Sequence, residues 1–196
     1  SNATISDSTG TFTITDDDNF SFSVDDVSVA ENVGSGNVTI TVEMSSASAS
    51  STTIQYATSN STATAGADYT STSGTLTFSA GDTSETFTVS ISDDSVYEGN
   101  ETFTITLSNA SAGSISDSTA TVTITENESA PTVSLSTSAS SIDENSGSNL
   151  TLTATLSGTT DSAITVALDT SGTATEGTDY SDNGGTSLLN DIIISA

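Results

Sequence analysis

Lysine, arginine, histidine, cysteine and tryptophan are all absent from the 196 residues, and proline occurs once. Each absence removes a chemistry. Without Cys or His there is no disulfide, no zinc or thiolate-iron site and no Ser/His or Cys/His nucleophile. Without Lys or Arg there is no Schiff base, no phosphate clamp, no basic groove for nucleic acid and no Lys–Asn crosslink. The 26 acidic side chains stand unopposed at a formal net charge of −26, which excludes nucleic acid and other anions as partners. No apolar run reaches the ~20 residues that cross a bilayer, so direct membrane insertion is not expected.

What remains is hydroxyl-rich. Ser and Thr together number 79, and Leu, Ile, Val and Phe only 39, a share near the line where high charge begins to favour disorder. Periodicity decides against disorder. Thr86-Phe87-Thr88-Val89-Ser90-Ile91-Ser92 puts Phe87, Val89 and Ile91 on one face and hydroxyls on the other. The same two-residue period recurs at Val38–Val42, Leu76–Phe78, Phe103–Leu107 and Val122–Ile124, the pattern of half-buried antiparallel strands. Threonine suits the wet face because its branched Cβ fits a pleated backbone. No window shows a helical period, so the chain is expected to be essentially all β.

Ser1-Asn2-Ala3 reads as a cloning scar and is set aside. Ile5-Ser6-Asp7-Ser8-Thr9-Gly10-Thr11-Phe12-Thr13-Ile14-Thr15 returns 110 positions later as Ile115-Ser116-Asp117-Ser118-Thr119-Ala120-Thr121-Val122-Thr123-Ile124-Thr125. Glu31-Asn32 likewise returns at Glu144-Asn145, and Thr62–Tyr69 at Thr173–Tyr180. A tandem repeat of about 110 residues follows. Residues 4–18 read as the last strand of one repeat, 19–128 as a complete repeat and 129–196 as a truncated one. Seven strands are expected in the complete repeat, near 20–29, 36–44, 52–58, 74–79, 85–92, 102–108 and 118–125, the count of a two-sheet sandwich. The truncated repeat has unpaired edges and an uncovered apolar face. It is expected either to be partly disordered or to take residues 4–15 of a neighbouring chain by strand exchange.

Asp93-Asp94-Ser95-Val96-Tyr97-Glu98-Gly99-Asn100-Glu101-Thr102-Phe103 lies between two alternating strands. Calcium takes six to eight oxygen ligands, and carboxylates, carbonyls and water all serve. One loop can turn Asp93, Asp94, Glu98 and Glu101 toward a common point. Glu126 and Glu128 leave the last strand, which in a sandwich can end beside that loop, and Glu31, at an interruption of the first strand, can close the ring. Gathering so many like charges without a counterion is costly; solvated acidic loops are the bland alternative. Asp68 and Asp179 are read as bonded to their own turns, and Tyr69, Tyr97 and Tyr180 as core-edge rings with wet hydroxyls.

Together with Gly74-Thr75-Leu76-Thr77-Phe78, Gly81-Asp82-Thr83 and Thr62-Ala63 through Asp68-Tyr69, the acidic loop resembles the Calx-beta repeat of sodium/calcium exchanger regulatory loops and large surface proteins. The resemblance spans 19–128 and, in truncated form, 131–196. It implies an immunoglobulin-like antiparallel β-sandwich and a ligand role for Glu31, Asp93, Asp94, Glu98, Glu101, Glu126 and Glu128 toward Ca2+. Two positions depart from the family's pattern. Its acid before Gly-Thr-Ala is Asn60 here, and its aspartate triple after the last strand is Glu126-Asn127-Glu128, which implies fewer or weaker ions. An intact triple occurs instead as Asp16-Asp17-Asp18, where a junction ion or a solvated linker are both open.

The expected function is a calcium-binding, non-catalytic spacer or adhesion repeat of a large extracellular, secreted or cell-surface protein, whose partners are calcium, neighbouring repeats and a cell-surface protein or glycan. The alternatives are a regulatory calcium sensor attached to a membrane transporter and a calcium-dependent carbohydrate-binding module. A carboxylate-pair glycosidase needs an aromatic-lined cleft, which 5% aromatic content without tryptophan does not favour.

Overall fold

The structure is a computed structural model, and it describes residues 2, 4, 6–13, 19–168, 171–175, 177–181 and 192–195. The complete repeat contributes β1 (Ser21–Val24), β2 (Val27–Ala30), β3 (Asn37–Met44), β4 (Thr52–Asn60), β5 (Ser73–Phe78), β6 (Ser84–Ser90), β7 (Val96–Tyr97), β8 (Glu101–Ser108), β9 (Ser114–Ile115) and β10 (Thr119–Thr125). The chain after residue 128 contributes β11 (Val133–Thr137), β12 (Leu152–Leu156), β13 (Thr159–Thr160), β14 (Ile164–Val166) and β15 (Ile192–Ile194).

Hydroxyl and apolar residues alternate along each long strand, so each strand has one dry face. In β3 the buried positions are Val38, Ile40, Val42 and Met44, and Thr39, Thr41 and Glu43 are exposed between them. Two such sheets close on each other. One has the order β6-β3-β1-β9 and the other β2-β10-β8-β4-β5, with parallel pairing only at β1–β9 and β10–β2. Phe22, Ile40, Ile54, Phe78, Phe103 and Ile105 fill the space between and are completely covered.

The interruption expected in the first strand lies at Asp25-Asp26, where the chain leaves one sheet as β1 and joins the other as β2; Glu31 comes after β2, so its expected place at the break is corrected. Asp26 anchors the crossing, its Oδ1 accepting from Thr121 N at 2.7 Å. Here an extended chain can satisfy both sheets only by switching edges, and a short polar side chain can bond the backbone left free.

Asn37 of β3 pairs with Ser90 at the end of β6, and at the other end of β3 Ser45 N bonds Ser21 O, where the sandwich begins. The loops after β2, β6 and β10 therefore gather at the Asn37 end, and the chain enters at the Met44 end.

After residue 128, β11 pairs with β12 and β14 with β15, all antiparallel. β13 instead pairs in parallel with β7, Thr159 level with Val96 and Thr160 with Tyr97, and Thr159 Oγ1 donates to Ser95 O at 3.0 Å. The segment Thr159–Thr160 thus touches the acidic loop directly. Residues 6–13 form no strand and are exposed throughout; the rest of the strand expected at 4–18, including residues 14–18 with the Asp16-Asp17-Asp18 triple, lies outside the described residues. No helix among the described residues is long and apolar enough to cross a membrane.

Candidate metal centre

The ladder register builds the centre. In the parallel pair β10–β2, Thr125 stands level with Ala30, and Glu31 N bonds Thr125 O at 3.0 Å, so Glu31 and Glu126 emerge side by side. In the antiparallel pair β10–β8, Ile124 faces Glu101, which brings the start of β8 to the same end. The loop between β6 and β8 is clamped at its start. Ile91 N bonds Gly36 O and Ser92 N bonds Asp68 O. Beyond that, Asp94 Oδ1 accepts from Val96 N at 2.7 Å, and Gly99 turns the chain at φ +81°, a region glycine enters without steric cost.

Two carboxylate groups result. Glu31, Glu126 and Glu128 form one, and Asp68, Glu98 and Glu101 the other, each with ligand oxygens within 4.8 Å of one another. At that spacing each ionised pair repels by roughly 1 kcal/mol in water and roughly 3 kcal/mol at the effective dielectric of a protein surface. The chain has no side-chain cation to offset this.

Glu126 is the organiser of the first group. Its Oε2 accepts from Glu98 N at 2.6 Å and Gly99 N at 2.8 Å, and its Oε1 from Asn127 N and Glu128 N, both at 2.8 Å. Desolvation acts to raise its pKa, but these donated N–H groups and the contact with Glu128 outweigh it and pull the carboxyl down to about 2. Glu31 is the reverse case. It is 7% exposed, and burial, then the charges of Glu126 and Glu128, push it up to about 7 despite a bond from the Asp94 backbone. Glu128 is raised by its contact with Glu126 and by burial, and its Oε2 is fully covered with no hydrogen-bond partner among the described residues.

In the second group burial pushes Glu101 up to about 7, followed by a carboxyl–carboxyl contact with Asp68 and the charges of Asp68, Glu98 and Asp161. Glu98 is raised by burial and then by Asp68, Asp94, Asp161 and Glu126. Asp161 follows directly on Thr160 of β13, so the part of the chain after residue 128 also contributes charge here. Two facing carboxylates have no proton to share when both are ionised; only a captured proton or a cation reconciles them. All the donors are oxygens, which suits a hard divalent cation. The buried acid at Glu31 and the orphaned oxygen of Glu128 make the first group fit such an ion.

The expected ligands therefore divide. Glu31, Glu126 and Glu128 meet, Glu98 and Glu101 meet beside them, and Asp93 and Asp94 stay exposed at the rim, outside both groups. Asp68 joins the second group as well as bonding its turn through Thr64 N. The signal for it was the loop Thr62–Tyr69, which returns to β8 through Ala63 N on Thr102 O at 2.8 Å. Asn60 is occupied structurally: its Oδ1 accepts from Tyr69 Oη at 2.7 Å and Ala65 N at 3.0 Å. Tyr69 is 1% exposed and stacks on Phe103 with centroids 4.1 Å apart, so its expected wet hydroxyl is corrected to a buried, bonded one.

A family model described as the Calx-beta domain matches residues 13–128 and again 126–189. A crystal structure of the apo form of the Calx CBD1 domain is 28% identical, covers 56% of this chain and 99% of that one, and superposes with a TM-score of 0.52. A crystal structure of the calcium binding domain CBD12 of CALX1.1 is 27% identical over 54% of this chain and 45% of that one, with a TM-score of 0.50. No curated protein matches the sequence.

Proposed function

The chain belongs to the Calx-beta family, and from that premise we propose that it is a calcium-binding, non-catalytic repeat whose ion sits among the carboxylates at the Asn37 end of the complete sandwich. The observation that carries this reading is Glu31. An ionised carboxyl 7% exposed, set against two other glutamates in a chain without a single basic side chain, is destabilising until a proton or a cation is captured. Glu31 and Glu128 would hold an ion in the first group, and Glu98, Glu101 and Asp68 a further ion in the second. Glu126, its lone pairs engaged by four N–H groups, positions the others and offers what capacity remains. Asp93 and Asp94 complete the shell from the rim. The similarity to a calcium binding domain supports the choice of ion.

In this reading the ion neutralises the loop on which β13 docks, so it stiffens the joint between successive repeats. Such a module suits a tandem rod in a large extracellular or cell-surface protein with an adhesive role, where millimolar calcium fills weak sites. The likeness to Calx CBD1 favours a second reading, a calcium sensor regulating a membrane transporter. Affinity separates them: dissociation constants of about 10⁻⁴–10⁻³ M belong to extracellular modules and about 10⁻⁷–10⁻⁵ M to sensors.

The test is thermal unfolding in calcium, magnesium and chelator, with calorimetric titration for affinity. Calcium at a hundredfold its dissociation constant adds about 2.7 kcal/mol; an unfolding curve indifferent to millimolar calcium sinks the proposal. A glycan array with and without chelator separates carbohydrate binding from pure spacing.

A further inference from the structure

The two sheets of the complete sandwich end in β6 and β9 on one side of the core and in β2 and β5 on the other. An edge strand presents a row of unpaired N–H and C=O groups, and folded proteins guard such rows with charge, proline, bulges or brevity. Most of these edges are guarded. β6 carries Glu85 at its second position, β2 is bracketed by Asp25-Asp26 and Glu31, and β9 is two residues long with Asp117 close behind. β5 has neither acid nor proline. Between Glu43 and Asp82 the only acidic side chain is Asp68, so β4 beside it is uncharged as well.

The ladder fixes which groups of β5 face outward. Thr58 N bonds Thr72 O at 2.9 Å, which makes these two residues a hydrogen-bonded pair of the antiparallel β4–β5 register. Bonded and non-bonded pairs alternate, so Ala57–Ser73, Gln55–Thr75 and Thr53–Thr77 are of the non-bonded kind. The N–H and C=O groups of Ser73, Thr75 and Thr77 therefore point away from β4. They have no partner among the described residues. Their side chains are exposed on the wet face, while Leu76 and Phe78 are buried beneath it.

The strand is complementary to a copy of itself. Set antiparallel about Thr75, it places Thr75 opposite Thr75, Ser73 opposite Thr77 and Gly74 opposite Leu76, so outward amides meet outward carbonyls and both faces continue unbroken. A slip by one residue would set wet positions against dry ones. Charge selects the partner. The 26 acids make copies of this chain repel one another except where no acid stands, and the surface around β5, with Thr53, Gln55, Ala57, Thr75 and Thr77 outward, has none. Glu85 of β6 follows the turn closed by Asp82 N on Ser79 O, near the Phe78 end, so the antiparallel arrangement carries the two copies' Glu85 to opposite ends.

We propose that β5 pairs antiparallel with β5 of a second copy, joining their five-stranded sheets into one continuous sheet across a two-fold axis at Thr75. The contact is isologous and closes both edges, so association stops at two chains. It does not draw on the metal centre, since no residue of β5 bears a carboxylate.

The test is sedimentation of the whole chain from micromolar to millimolar concentration at physiological salt, where a Debye length of about 8 Å screens the distant acids. The expected mass rises from one chain to two and stops. Over the same range hydrogen exchange slows at the Thr75 and Thr77 amides and stays constant in β3. Thr75→Asp sets two carboxylates opposite each other and raises the dissociation constant at least about tenfold, with unfolding of the single chain unchanged. Thr75→Pro, whose missing N–H takes nothing from the β4 ladder, abolishes pairing. Thr39→Asp, on the wet face of the other sheet, leaves it intact. A single-chain mass at millimolar concentration overturns the proposal, as does a mass beyond two chains or a dimer of undiminished strength in Thr75→Asp. Each arm is run in calcium and in chelator, and the dimer forms in both; a dimer seen only in calcium overturns the strand pairing and leaves calcium binding standing.

Discussion

Replacing Glu31 by glutamine tests the electrostatic account most directly, because the amide preserves size and can still accept from the Asp94 backbone. The folded environment lifts the Glu31 carboxyl from 4.5 to about 7. Ionising it at pH 7.5 without metal therefore costs roughly 1–3 kcal/mol once solvent screening is allowed for. Glu31→Gln removes that cost. In chelator the variant should unfold about 4–8 °C above the parent, taking roughly 1–2 kcal/mol recovered in a domain of this size. In calcium the order should reverse. The parent gains about 2.7 kcal/mol at a hundredfold its dissociation constant, and the variant, short of its most buried ligand, should gain less than half of that. Unfolding followed by circular dichroism in both conditions reads the two shifts, with Glu43→Gln on the exposed face of β3 as a control that changes charge alone. The reasoning fails if Glu31→Gln keeps the full calcium increment, or if it lowers stability in chelator as an ordinary lost contact would.

The metal-free protein should be most stable near pH 4.5–5 by urea titration. Glu31 and Glu101, raised to about 7, with Glu98 and Glu128 also raised, contribute stability present below 4.5 and lost as pH rises toward 7. Glu126, held at about 2, contributes stability present above 4.5 and lost as pH falls toward 2. Saturating calcium should abolish the decline above pH 5, and the urea midpoint should then stay level to pH 7.5. Asp68→Asn should lower the calcium stoichiometry measured by calorimetry while leaving binding at the Glu31 group in place; an unchanged stoichiometry would exclude the second group as a site. Phe103→Ala should destabilise by about 3–5 kcal/mol with or without calcium. Tyr69→Phe, which deletes the bond to Asn60, should cost about 1 kcal/mol in urea titration.

The repeat and its sandwich class were legible in the residues because alternation is a local property. Thr86 through Ser90 separates wet from dry faces whatever lies opposite, and a period of about 110 residues needs only the chain compared with itself. The stock of candidate acids was legible too, since a loop such as Asp93–Glu101 announces itself by composition. Which acids converge was decided in three dimensions. The parallel register that sets Thr125 beside Ala30 makes neighbours of Glu31 and Glu126, ninety-five positions apart. The return of the Thr62–Tyr69 loop onto Thr102 draws Asp68 in and seals Tyr69 against Phe103. The pairing of β13 with β7 carries Asp161 toward Glu98 and Glu101. Register and strand crossing depend on how two whole sheets share one core, and no window of neighbouring residues contains that information.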